Sequence, residues 1–130
     1  MDKIIELAAP VGRVLISFMF VMSGASKIGG YAATQGYMEA MGVPGMLLPL
    51  VIITELGLGL AVMVGYQTRI AAFGLAGFCI LAALLFHAKF SDQVQMIMFM
   101  KNIGLAGGFL FLVTHGAGAY SIDKRMEKSE

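Results

Sequence analysis

The fold is decided by residues 44–66, P-G-M-L-L-P-L-V-I-I-T-E-L-G-L-G-L-A-V-M-V-G-Y. A bilayer is crossed by about 20 mainly apolar residues in a helix, and this run supplies them. Its one charge, Glu55, falls about eleven residues in, or ~16 Å along a helix, near the middle of the membrane. A carboxylate at that depth is costly unless it is paired, protonated or facing water. The polar residues of the other apolar segments therefore become its candidate companions: Arg13, Lys27, His87, Lys101 and the amide of Asn102.

The whole chain repeats the character of that run. Of 130 residues, 58% are hydrophobic and 13% charged, with a mean hydropathy of +0.83. A soluble domain carries about 25% charged residues, so lipid must be the solvent for much of this surface. The length suits a single domain over residues 1–130. A net charge of +1 gives no electrostatic handle for nucleic acid. The single cysteine, Cys79, rules out an intramolecular disulfide, a C-x-x-C pair and a cysteine metal cluster, and it reads as inert packing. The two histidines, His87 and His115, lie far apart without zinc spacing, and no haem or flavin signature is present. The glycines of G-L-A-G-G sit inside an apolar segment and read as packing, not as a phosphate loop.

Four spans follow, at about 7–26, 44–65, 70–87 and 94–115, with a charged tail at 121–130. Pro10 is expected in the first turn of the first helix, where its missing N–H costs little. Charges at Asp2, Glu6 and Arg13 argue for a retained span over a cleaved signal peptide. Residues 31–41 suit a short interfacial helix with Tyr31 and Tyr37 at headgroup level, and Lys27 reads as an anchor beside them. Gly57, Ala61 and Gly65 form a small-residue stripe for close helix approach, as do Gly104 and Gly108. The fourth span begins either near Val94, which buries Lys101, or at Lys101 itself. Six Lys or Arg residues on the terminal side against three on the other predict that both termini are cytoplasmic.

The fold class expected is thus all-α: a four-helix transmembrane bundle around a polar cluster of Glu55, Arg13, His87, Lys101 and Asn102. Each member has an ordinary reading as well. Arg13 can snorkel to the interface, His87 and His115 can complement helix C-termini, and Glu55 can be a structural ion-pair partner.

Taken in order, R-V-L-I-S-F-M-F-V-M-S-G-A-S-K (residues 13–27), Y-M-E-A-M-G-V-P-G (37–45), Glu55 and F-M-K-N-I-G-L-A-G-G (99–108) resemble the DoxX family of small bacterial inner-membrane proteins. The resemblance covers nearly the whole chain. It implies a four-helix inner-membrane protein with an oxidoreductase role. Some relatives are subunits of a thiosulfate:quinone oxidoreductase, and others work with partner proteins in oxidative-stress defence. No catalytic residue carries over. Three functions stand at this point. The first is a redox-associated subunit that holds a quinone or another small molecule, with a redox partner protein or as a homo-oligomer. The second is a small permease, and the third a non-catalytic membrane partner.

Overall fold

The computed structural model describes residues 2–129, and it is helical throughout with no strand among them. α1 (Asp2–Gly29) is followed by the short α2 (Tyr31–Ala40). The second span, Gly45–Val64, changes pitch three times. It opens on a 3₁₀ turn (Gly45–Leu47), passes through α3 (Leu48–Ile52) and a π segment (Ile53–Leu58), and closes as α4 (Gly59–Val64). α5 (Thr68–Phe86), α6 (Gln93–His115) and α7 (Ile122–Ser129) complete the chain. α1, Gly45–Val64, α5 and α6 are each long and apolar enough to cross a membrane.

The boundaries follow local chemistry. Pro49 lies in the first turn of α3, where the helix needs no N–H from it. Gly65 takes a left-handed conformation (φ 76°) that ends α4, as Gly42 (φ 82°) does after α2. Asp92 caps α6 by accepting from the Val94 amide at 2.9 Å, so the fourth span begins at its earlier limit and Lys101 lies within it.

Two expectations change. α1 begins at Asp2, five residues before the apolar segment, so Pro10 lies inside the helix and not in its first turn. The small-residue stripes hold in part: Gly65 lies against Ser121 and Arg13, and Gly108 against Ile16 of α1. Gly57 and Gly104 face open space. The close approach of the first two spans is made by Gly24, whose side chain would meet Leu56 at 3.0 Å, and by Gly59, against Val21 at 3.1 Å and Phe20 at 3.3 Å. Gly59 therefore admits a neighbouring helix. The π turn accounts for the shift, because a wider turn rotates every following residue relative to a regular helix.

α5 buries a stripe of small side chains, Ala71, Ala72, Ala76, Cys79 and Ala83, against its neighbours. Phe20 of α1 meets Phe109 of α6 edge-on, ring centres 5.4 Å apart, to close the core. A smaller cluster of Met38, Val43 and Leu48 packs α2 onto the start of the second span.

Candidate functional site

Five residues of α1 lie at alternating spacings of four and three: Arg13, Ser17, Phe20, Gly24 and Lys27. That periodicity places them on one face, and the first four are buried. The face carries a cation at each end, and the two do different work.

Arg13 is 2% exposed and hydrogen-bonds only to backbone. It donates to the Met63 carbonyl at 3.0 Å and Val62 at 3.5 Å, in the last turn of α4. It also donates to Ala119 at 3.2 Å and Tyr120 at 2.9 Å in the loop before α7. Ser17 donates to the Arg13 carbonyl at 2.6 Å. Arg13 thus fastens the C-terminal loop to the end of the second span. It does not snorkel, and it lies about 16 Å along α1 from Gly24, which touches Glu55. Beside it, Asp123 accepts from the Gln67 and Thr68 amides at 2.8 Å each and so caps α5 from α7. Burial pushes the Asp123 carboxyl up. The bonds from Thr68 and Gln67 and the nearby Arg13 charge outweigh it and hold the group below the usual carboxylate range.

At the other end of the face, Lys27 Nζ lies 2.7 Å from Glu55 Oε1. Side chains on a helix lean toward its N-terminus, and this lean carries Lys27 back over Ser23, whose Oγ accepts from Nζ at 2.7 Å. The Glu55 side chain is 6% exposed and that of Lys27 25%. Glu55 lies within the π segment Ile53–Leu58. Such segments are uncommon and recur at functional sites.

This ion pair lines a cavity of about 760 Å³ between α1, α2, the second span, α5 and α6. His87, Lys101 and Asn102 line the same cavity, with Thr34, Tyr37 and Thr54 as further polar groups. The remaining wall is largely aliphatic and aromatic, including Phe73, Phe78, Leu85 and Phe86. Tyr37 stacks on Phe86 at 5.7 Å. His87 ends α5, and its Nδ1 donates to Gln95 Oε1 at 2.8 Å, which joins α5 to the first turn of α6.

Of the five residues grouped from sequence, the cavity brings together Glu55, His87, Lys101 and Asn102, and Arg13 stands apart. Lys27, a candidate companion of Glu55 that was also read as an interfacial anchor, is the cation that meets Glu55. Of the two tyrosine anchors, Tyr37 lines the cavity and Tyr31 does not. The signal for Lys27 was in the sequence: it continues the four-three spacing that begins at Arg13. Among the described residues no group of three or more His, Cys, Asp or Glu side chains is placed to hold a metal ion.

Comparison with known proteins adds a lineage. The DoxX family model matches residues 8–88. Inner membrane protein YqjF of Escherichia coli K12 is 51% identical over 128 residues, 98% of either chain. Inner membrane protein YphA of the same organism is 30% identical over 122 residues, 88% of this chain and 87% of that one. No solved structure matches.

Proposed function

The chain belongs to the DoxX family of inner-membrane proteins, and from that premise we propose that it is the ligand-holding membrane subunit of an oxidoreductase, with a quinone-sized lipophilic molecule in the cavity. The observation that carries the reading is the cavity itself. At about 760 Å³ it falls in the roughly 300–1,000 Å³ range of small-molecule sites. It also has their usual composition, an apolar wall with a few polar groups.

The roles follow from position. The apolar wall would take the body of the ligand. Asn102 and Lys101 would donate hydrogen bonds to an oxygen of the ligand. The Lys27–Glu55 pair, largely shielded from solvent, would supply or accept the proton that accompanies reduction. Electrons would come from a partner's redox centre, since one cysteine and two distant histidines provide none in this sequence. The charge asymmetry of the loops supports a cytoplasmic location for the end that bears the termini, with the cavity toward the opposite face.

The test is direct. The full-length protein in nanodiscs is titrated with a short-chain ubiquinone, and a mild-detergent preparation is extracted for mass spectrometry. Saturable binding is expected. Gly77→Leu should abolish it with thermal stability unchanged, because Gly77 lines the cavity and a Cβ there meets no atom within 4 Å. Absence of both copurifying ligand and saturable binding refutes the proposal.

A further inference from the structure

We infer that the ligand of this cavity is an anion on an apolar body, and that Lys101 receives its charged head. The inference rests on reading the cavity as a ligand site. Three charged side chains line the cavity: Lys27, Glu55 and Lys101. The first two neutralise each other at 2.7 Å. Lys101 is left over. Among the described residues it has no carboxylate within ion-pair distance and no hydrogen-bond partner. His87 does not offset it, since its contact is the neutral amide of Gln95.

Position makes that excess meaningful. Lys101 is the ninth residue of α6, about 12 Å along from Gln93, inside a spanning helix. An ammonium at such depth is costly without a counter-charge. A neutral ligand leaves that cost in place, and an acidic one removes it. Asn102 follows in the same wall and offers an amide donor to a second oxygen of the head. Phe73, Phe78 and Leu85 offer apolar surface to the remainder. The shared chemistry is one negatively charged oxygen head on a hydrocarbon or aromatic body. Its source is either a diffusible lipophilic acid or an anionic phospholipid of the bilayer. If Lys101 simply extends to the headgroup region, it gives no preference for acids inside the cavity.

The experiment uses the full chain in phosphatidylcholine nanodiscs at neutral pH. The probes are dansyl-undecanoic acid, its methyl ester and a short-chain ubiquinone. The acid should bind at least about tenfold more tightly than the ester. Lys101→Met should erase the preference by weakening the acid at least about tenfold more than the ester, and Lys101→Arg should keep it. Because Lys101 is exposed and makes no bond within the chain, both variants are expected to fold, and a thermal melt verifies this. Doping the discs with phosphatidylglycerol separates the sources. Competition with the acid probe identifies bilayer lipid, and no competition identifies a diffusible acid. Equal binding of acid and ester, or a preference that survives Lys101→Met, overturns the inference. If ester and ubiquinone still bind in that case, the cavity remains a ligand site; if no probe binds, the ligand reading falls too.

Discussion

Removing Lys27 should harm the protein more than removing the charge of Glu55, and removing both should harm it least. Glu55 is the more buried partner, its side chain 6% exposed against 25%, and Lys27 is its only cation within ion-pair distance among the described residues. Lys27→Met therefore leaves an anion in the bundle with no compensating charge. Breaking a buried pair from one side costs about 3–5 kcal/mol. Glu55→Gln is milder, because the amide is neutral and Lys27 retains Ser23 Oγ and partial exposure. About 1 kcal/mol is expected, the scale of one hydrogen bond. The double variant removes both charges and should stay within about 1 kcal/mol of the parent, which makes the coupling about 3–5 kcal/mol. Thermal unfolding in mixed micelles, followed by far-UV circular dichroism, reads the series without tryptophan, which the chain lacks. Two single variants of equal cost whose effects add in the double would refute the pairing.

Arg13→Ala should destabilise strongly, by about 3–5 kcal/mol, because four carbonyls from two elements lose a buried charged donor; a fall of about 10 °C or more in detergent melts is expected, with ligand affinity unchanged in the folded fraction. Gly24→Ala should cost about 1–3 kcal/mol, since its Cβ would press on the Leu56 backbone at 3.0 Å, whereas Gly57→Ala, which meets nothing, should be neutral; paired melts distinguish them. Asp123 is held below the usual carboxylate range, so the stability it contributes is present above the unfolded value of about 3.9 and is lost as pH falls through the folded value. Hydrogen exchange at the Gln67 and Thr68 amides should quicken below about pH 4 in the parent and already at neutral pH in Asp123→Asn.

The four spans and the need of Glu55 for a buried partner were legible in the sequence because they rest on local quantities: apolar length, and a lone charge within it. Arg13 was not legible. Its acceptors are backbone carbonyls 49 to 107 residues away, and no side-chain pattern marks a carbonyl. Lys27 stood among the candidate companions of Glu55 but was left out of the polar cluster, because lysine at the end of an apolar segment ordinarily anchors to headgroups. The helix instead continues to Gly29, so the side chain leans inward along the buried face. The glycine contacts were misplaced for a related reason. Spacing by four assumes a regular helix, and the π turn at Ile53–Leu58 breaks the count between Gly57 and Gly59.

The two ends of the α1 stripe divide the labour of the bundle. Around Arg13, charged groups are spent on backbone: carbonyls at the end of α4, amides at the start of α5, a C-terminal loop drawn against α1. Arg13 commits both terminal nitrogens to four carbonyls and leaves only its buried Nε without a partner. Around Glu55 the balance reverses. The helix changes pitch three times in 20 residues, a small apolar cluster takes the place of the main core, and the polar side chains point at a cavity. Irregular backbone is tolerated at membrane depth only where protein or a cavity surrounds it. The π turn, the facing glycine Gly24 and the Lys27–Glu55 pair thus form one unit. Gly24 lets the widened turn approach α1, and the turn sets Glu55 within reach of Lys27. The pair neutralises its own charges, and Lys101 and Asn102 of α6 line the same cavity.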